Sequence, residues 1–173
     1  MKLIRFNKDL DYAVAFIKYA QDWLLQTPVY GEDYSKLYAS ALVDYDAFLT
    51  KLVALSEEKR LAENKPFVRF YWFLNDAVEI VGTIRHRANI PEEYGNIGYE
   101  ISSHYINKGY GKLMLQMLLQ ELKEEGIEKV ILTTSKENIP SIKTIEFNGG
   151  VYCGEIFHND EKRELSKFEI VIV

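Results

Sequence analysis

The segment EISSHYINKGYGK, residues 100–112, joins the end of a strand-like run to the start of an amphipathic helix. Gly109 and Gly111 stand at that start, where the absence of a side chain lets the backbone approach a ligand closely. The N–H groups of a helix's first turn have no acceptor within the helix, and the helix dipole favours negative charge beside them. The pattern therefore leaves two interpretations, an anion-binding loop or a simple tight turn.

Two common phosphate-binding motifs do not fit this segment. A dinucleotide fingerprint GxGxxG requires a glycine where Met114 stands. A P-loop requires glycine at Ile106 and serine or threonine at Leu113. The anion-binding interpretation thus predicts a phosphate-bearing ligand held by neither of these motifs.

The flanking sequence predicts a mixed sheet with helices packed on it. Aromatic and β-branched runs before the segment, FVRFYWFL, AVEIVGTIRHR and NIGYEIS, indicate a meander of three strands. Helical spacing or strand patterns predict the remaining elements: a strand at 2–6, helices at 10–24, 44–62 and 109–125, a strand at 129–134, a short helix from Asn138, and strands at 151–157 and 165–173. The tyrosine-rich stretch from Tyr30 to Tyr45 carries no clear pattern.

The composition is that of one globular domain over residues 1–173, with 47% hydrophobic residues. A net charge of −5 argues against a partner that is nucleic acid or an anionic membrane. The single cysteine, Cys153, excludes an internal disulfide and cysteine-based zinc sites, and we expect it to be buried and to pack in the core. No signal peptide or membrane span is predicted, so we expect a cytoplasmic protein. His104 and His158 have no neighbours in the sequence that suggest metal ligation, so we expect no metal.

The run INKGYG, Ile106 to Gly111, resembles the Q/R-x-x-G-x-G/A signature of the Gcn5-related N-acetyltransferases (GNAT family). The likeness extends through NIGYEIS before it and EKVILTTSKENIPSIKTIEFNGG after it. This resemblance implies an α/β (mixed α+β) GNAT fold. Its central, mostly antiparallel sheet would have about six or seven strands, helices on both faces and a V-shaped splay between strands four and five.

The resemblance also implies acetyl-CoA as the acyl donor and a set of residues that hold it. Backbone groups of the loop would bind the pyrophosphate, and the strand before the loop would pair with the pantetheine arm like an added strand. The implied donor-binding residues are Tyr99, Ile101, Ile106, Asn107, Lys108, Gly109, Tyr110, Gly111, Lys112 and Asn138. For Asn138 a helix N-cap is an equally good interpretation, because Pro140 follows in the first turn.

Two positions depart from the family's pattern. Ile106 replaces the polar first residue of the signature, which matters little where backbone groups do the binding. Ile145 stands seven residues after Asn138, where the family often has a tyrosine that acts as general acid. A thiol has a pKa of about 8.5, so the thiolate is a fair leaving group even without a tyrosine to protonate it.

The chemistry implied is aminolysis of a thioester, for which Glu100 and Ser141 are the candidate catalytic residues. For Glu100 the alternative interpretation is a half-exposed strand residue on a face of the sheet. Arg85 and His86, at the end of the preceding strand, are candidates for acceptor binding, with a solvated strand end as the alternative. The tyrosine-rich stretch and the loop at residues 89–95 are predicted to form the acceptor side.

We therefore predict an acetyl-CoA-dependent N-acetyltransferase that moves the acetyl group directly to a primary amine of a small molecule or a protein. The alternative is a catalytically quiet domain that binds or senses acyl-CoA, which Ile106 and Ile145 keep open. A structural domain with a coincidental loop is a third, weaker interpretation. A homodimer is compatible with the resemblance.

Overall fold

A computed structural model describes residues 1–7, 12–25 and 34–172 of the chain. Within these ranges the strands are β1 (Lys2–Arg5), β2 (Phe67–Leu74), β3 (Ile80–Ala88), β4 (Ile97–Ile101), β5 (Lys129–Thr134), β6 (Val151–His158) and β7 (Arg163–Val171). The helices are α1 (Ala13–Leu24), α2 (Ser35–Val43), α3 (Tyr45–Leu55), α4 (Lys59–Ala62), α5 (Tyr110–Glu124) and α6 (Ile139–Phe147).

The strands form two antiparallel sheets, in the orders β1-β2-β3-β4 and β5-β7-β6. The sheets meet where the backbone N–H of Asn96 donates to the Ile131 carbonyl at 2.6 Å. Beyond Asn96, no other backbone hydrogen bond joins β4 to β5 in the part of the chain that the structure describes. The predicted mixed fold, with its splay between the fourth and fifth strands, is confirmed in this form.

Helices cover both faces of the first sheet because side chains alternate along β2. Tyr71 and Phe73 are buried on one face, in a core shared with α5 and α6. Trp72 and Leu74 are buried on the other, in a core shared with α1, α2 and α3. Full burial of such a side chain contributes about 1.5–3 kcal/mol to folding.

The region from residue 44 to residue 62 is not one helix, as predicted, but two. Asp44 caps α3 through its side chain, which accepts from the Ala47 N–H at 2.9 Å. Ser56 follows the end of α3, and its hydroxyl lies within hydrogen-bond distance of the Leu52 carbonyl (2.7 Å) and the Val68 carbonyl (3.0 Å). This contact with β2 ends the helix before α4 begins.

One further prediction is wrong, and a stretch without a predicted element contains a helix. The tyrosine-rich stretch contains a helix, α2, while its first residues, 30–33, lie outside the described residues. Cys153 is exposed rather than buried. Cys153 lies on β6, which among the described residues pairs only with β7, and both faces of the first residues of this edge strand are exposed.

Candidate functional site

The loop between β4 and α5 is shaped by two residues with positive φ. After a 3₁₀ turn at Ser103–Tyr105, Ile106 is extended and half exposed. Asn107 has a φ of 60° and Gly109 a φ of 79°. Only glycine, and less readily asparagine, adopts this left-handed conformation at low cost. The loop thereby reverses the chain sharply into α5.

The N-terminus of α5 is left without a side-chain cap. Gly109 is the N-cap residue, and its carbonyl accepts from the Leu113 N–H at 3.3 Å. The three N–H groups between them, at residues 110–112, precede any helical acceptor and carry the positive end of the helix dipole. A Cβ built on Gly109 would meet no atom within 4 Å. The space beside Gly109, at the start of this turn, is therefore open.

Two lysines add positive charge at this end of the helix. The Lys108 ammonium donates to the His104 carbonyl at 3.1 Å and lies over the Tyr105 ring at 5.2 Å. The Lys112 ammonium lies 4.6 Å from the centroid of the Phe147 ring, on α6. Both positions suit a phosphate-bearing ligand at the helix N-terminus.

A cluster of polar side chains, which we call the Glu79 clasp, holds the start of the loop. The Tyr105 hydroxyl donates to Glu79 Oε2 at 2.6 Å, Asn75 Nδ2 to the same oxygen at 2.9 Å, and Lys18 Nζ to Oε1 at 2.9 Å. The Tyr105 bond, followed by those from Lys18 and Asn75, lowers the pKa of Glu79 from 4.5 to about 2. The sequence analysis missed this clasp, because its members come from α1, the β2–β3 turn and the loop.

Across the cleft from β4, Asn138 and Ser141 lie at the start of α6. The Asn138 side chain accepts from the Ser141 N–H at 3.2 Å, so the N-cap interpretation holds. The Tyr99 and Ser141 hydroxyls are 2.9 Å apart. Burial raises the pKa of Tyr99 to about 12, so this phenol stays protonated. Ile145 is buried in the core and supplies no hydroxyl.

Glu100 lies on the opposite face of β4, among buried polar groups from α1, α2 and β3. Its carboxylate accepts from the Tyr38 hydroxyl, from Thr83 Oγ1 at 2.8 Å, from Arg85 Nη2 at 3.2 Å and from the Tyr19 hydroxyl at 3.5 Å. Burial first, and then the charge of Glu100, raise the pKa of Tyr19 well above its ordinary value of 10.0. We call this set the Glu100 cluster.

Arg85 and His86 do not form one group, because consecutive strand residues face opposite sides. The Arg85 guanidinium pairs with Glu100 and lies 3.7 Å from the centroid of the Tyr34 ring. His86 is opposite Arg69 in the β2–β3 register, on the face that carries Tyr71. Burial first, and then the charge of Arg69, lower the pKa of His86 from 6.5 to about 4. The two side chains thus lie on opposite faces of β3, and a role for either of them in acceptor binding stays a prediction.

The same alternation separates the two candidate catalytic residues. Ser141 lies on the side to which Tyr99 points, whereas Glu100 points toward α1 and α2. The structure thus places Ser141 with Tyr99 and Asn138, and Glu100 with Arg85. Thr83, which the sequence analysis did not single out, pairs with Glu100 in the strand register. Tyr38 belongs to the tyrosine-rich stretch that is predicted to form the acceptor side. Tyr19 had no such signal, since only tertiary packing brings α1 to β4.

The tyrosine-rich stretch and the loop at residues 89–95 meet at Arg87. Its Nη1 donates to the Tyr94 carbonyl at 3.0 Å, and its Nη2 to the Tyr34 hydroxyl at 3.2 Å. Both segments therefore border the face of β4 on which the Glu100 cluster lies. Tyr30, which belongs to the same predicted surface, is outside the described residues.

In the described parts of the chain, His, Cys, Asp and Glu form no group of three or more that could hold a metal ion. The helices in residues 1–7, 12–25 and 34–172 include none long and apolar enough to cross a bilayer.

Residues 17–149 match the model of the acetyltransferase (GNAT) family. The chain belongs to the GNAT family. The match begins within α1 and extends past the end of α6, so it includes β4 and the loop before α5. The predicted family and its acetyltransferase class are confirmed.

Solved structures share the GNAT fold at low sequence identity. A ribosomal-protein-S5-alanine acetyltransferase from Vibrio fischeri has a TM-score of 0.73 and 16% identity, over 98% of this chain and 92% of that one. RimL, a ribosomal L7/L12 α-N-protein acetyltransferase in complex with CoA, has a TM-score of 0.74 and 15% identity, over 99% and 95%. The microcin C7 self-immunity acetyltransferase MccE, in complex with acetyl-CoA and AMP, has a TM-score of 0.64 and 16% identity, over 99% and 93%.

Proposed function

We propose that this GNAT chain transfers the acetyl group of acetyl-CoA directly to a primary amine of a small molecule or a protein. The observation that carries the proposal is the uncapped N-terminus of α5, with open space in front of Gly109. Such a helix end binds phosphate groups through its N–H donors and its dipole. Membership of an acetyltransferase family supports acetyl-CoA as the phosphate-bearing ligand.

The donor would lie along the loop and the cleft between β4 and β5. Its pyrophosphate would accept from N–H groups of residues 106–112, with Lys108 and Lys112 nearby as counter-charges. The pantetheine amides would pair with the backbone of residues 99–101, which pairs with no strand on its β5 side within the described residues. Asn138 would face the thioester end of the arm from the start of α6.

The reaction forms a C–N bond and breaks the C–S bond of the thioester. The amine nitrogen attacks the acyl carbon, and a backbone N–H of β4 would stabilise the oxyanion that forms. Glu100 would take the proton lost by the amine, directly or through water. The thiolate would leave on the other side of the strand, where the Ser141 hydroxyl, hydrogen-bonded to Tyr99, can donate to the sulfur.

The acceptor would enter from the side of α1 and α2. The net charge of −5 favours a cationic amine over an anionic substrate. Related folds include proteins described as acting on a ribosomal-protein alanine and in microcin self-immunity, so both protein and small-molecule amines belong in the test. We place the enzyme in the cytoplasm, as one domain that is free to form a homodimer.

An acceptor panel tests the proposal. The purified full chain is incubated with acetyl-CoA and, in turn, a polyamine, a lysine peptide and a peptide with N-terminal alanine, and the release of CoA thiol is followed. We expect release that depends on one acceptor class, with acetylated amine detected by mass spectrometry. Stabilisation by acetyl-CoA without turnover on any amine would favour an acyl-CoA sensor instead. The absence of stabilisation at millimolar acetyl-CoA would refute both functions.

A further inference from the structure

Asn96 joins three strands at the point where the two sheets meet. Its backbone exchanges hydrogen bonds with β3 and β5: its carbonyl accepts from the Arg87 N–H at 2.7 Å, and its N–H donates to the Ile131 carbonyl at 2.6 Å. Its side chain makes a second contact with each of the same two strands. Oδ1 accepts from the Ile131 N–H at 2.8 Å, and Nδ2 lies 3.3 Å from the Arg87 carbonyl.

The side chain takes the place of a main-chain acceptor. In a regular ladder the Ile131 N–H would donate to a carbonyl of the neighbouring strand. Here the Asn96 amide satisfies it, so β5 needs no further carbonyl from β4 at this position. The main-chain pairing between β4 and β5 therefore ends at Asn96 without leaving the Ile131 N–H unsatisfied.

Tight packing on one side of Asn96 fixes the direction in which the cleft opens. Gly95, with a φ of 65°, lies so close to β5 that a Cβ there would be 3.1 Å from the Thr133 nitrogen. The Thr133 hydroxyl donates to the Glu93 carbonyl at 3.0 Å, which anchors the loop before Gly95 to β5. On the other side the next link from this face of β4 is made by Tyr99, whose hydroxyl reaches Ser141 on α6.

We infer that Asn96 is a positioning residue for the donor: its side chain ends the β4–β5 pairing and sets the width of the cleft that receives the pantetheine arm. The inference rests on the proposed function, since it takes acetyl-CoA as the occupant of that cleft. Asn96 acts through the backbone of β4 and β5 and is not assigned a contact with the reacting atoms.

Three variants of the full chain test this role. Asn96→Ala removes both side-chain links, and Asn96→Asp keeps an oxygen for the Ile131 N–H. Gln120→Ala is the control, because it removes an exposed amide that donates to Glu124 Oε1 at 3.2 Å, away from the β4–β5 junction. CoA affinity is measured by calorimetry, and KM is measured for donor and acceptor separately. We expect Asn96→Ala to weaken CoA binding and raise the donor KM by about tenfold, with the acceptor KM unchanged. Asn96→Asp should recover part of the affinity, because it keeps the link to Ile131 and loses the one to Arg87. Gln120→Ala should match the wild type.

Wild-type CoA affinity in folded Asn96→Ala would overturn the inference, and so would an equal loss in Asn96→Asp and Asn96→Ala. If Asn96→Ala does not fold, Asn96→Gln decides, since it keeps the amide and displaces it by one methylene. A loss of CoA affinity in folded Asn96→Gln supports the role, and unchanged affinity contradicts it. A wild-type chain that binds no CoA is a separate result, which refutes the proposed function itself.

Discussion

At the scale of single residues, the central feature is that Tyr99 and Glu100 are neighbours in β4 and face opposite sides of it. Tyr99 reaches Ser141 at the start of α6, and Glu100 reaches the buried tyrosines Tyr19 and Tyr38. One strand can thus present a hydroxyl pair to the leaving thiolate and a carboxylate to the incoming amine. Because side chains alternate along the strand, the hydroxyl pair and the carboxylate lie on opposite sides of it. The first task is to stabilise the thiolate, and the second is to take the proton of the amine.

Replacing Glu100 by glutamine tests the second task. The amide keeps the shape of the side chain but takes up no proton, so we expect kcat for the best acceptor to fall about 100-fold. The donor KM should stay unchanged, because the loop before α5 is untouched. Steady-state kinetics measure both quantities, with Glu155→Gln, at an exposed carboxylate of β6, as the control. A kcat within about twofold of the wild-type value would show that Glu100 is not the general base.

His86 gives a prediction about stability. Its pKa is lowered from 6.5 to about 4, so folding favours the neutral ring. The unfolded chain binds a proton below pH 6.5 and the folded chain does so only near pH 4, so the stabilisation is complete above 6.5 and is lost as the pH falls toward 4. The loss is about 3 kcal/mol at most. His86→Phe should therefore lose less stability than wild type between pH 7 and pH 4.5, as measured by urea unfolding at each pH. An identical pH dependence in the two proteins would show that His86 is not buried as a neutral ring.

At the scale of elements, the start of α5 is fixed because side chains from other elements hold the loop before it in place. The Glu79 clasp fixes Tyr105 against the β2–β3 turn and, through Lys18, against α1. The first turn of α5 therefore has its position fixed before a ligand binds. Such preorganisation lowers the cost of ordering the loop on binding.

Tyr105→Phe tests the clasp. Loss of its hydroxyl frees the start of the loop, so we expect CoA affinity to fall about threefold to tenfold, with kcat at saturating donor unchanged. Tyr152→Phe, at an exposed tyrosine of β6, is the matched control. CoA affinity in Tyr105→Phe equal to that of the control would show that the clasp does not act on the donor loop.

The clasp also predicts a dependence on pH. The pKa of Glu79 is lowered from 4.5 to about 2, so the stabilisation from its carboxylate is present above pH 4.5 and is lost as the pH falls toward 2. The difference in Tm between wild type and Glu79→Gln should shrink over that interval when thermal unfolding is followed at several pH values. A difference that stays constant from pH 6 to pH 3 would contradict the assigned hydrogen bonds.

At the scale of the whole molecule, elements that repeat a local pattern could be predicted from the sequence, and contacts between distant elements could not. Alternation along the chain predicts the bounds of β2 and β5. Apolar periodicity and the glycine at the turn predict that α5 follows Gly109. The break after α3 depends on a contact between Ser56 and β2, which no local pattern contains. GNAT membership was predictable because the residues of the loop and of α6 are contiguous motifs.

The candidate site divides in the same way. The loop before α5 is one contiguous segment, so its residues could be singled out from the sequence, and their role in donor binding stays a prediction. The Glu100 cluster draws on α1, α2 and two strands, so Tyr19 could not be found from spacing. His86 is a different case, because the period of two in β3 already separates it from Arg85, and that rule was available from the sequence.

The proposed function depends most on the N-terminus of α5, and titration of CoA into wild type and Gly111→Trp tests this site most directly. A Cβ at Gly111 meets nothing nearer than Thr144 Oγ1 at 3.5 Å, an ordinary contact, so the helix has room for the start of a side chain. Calorimetry should show saturable binding at one site in the wild type. In Gly111→Trp this binding should be lost, while urea unfolding shows a much smaller loss of stability. An absence of binding by the wild type at millimolar CoA, or equal CoA affinity in the two proteins, would contradict the account.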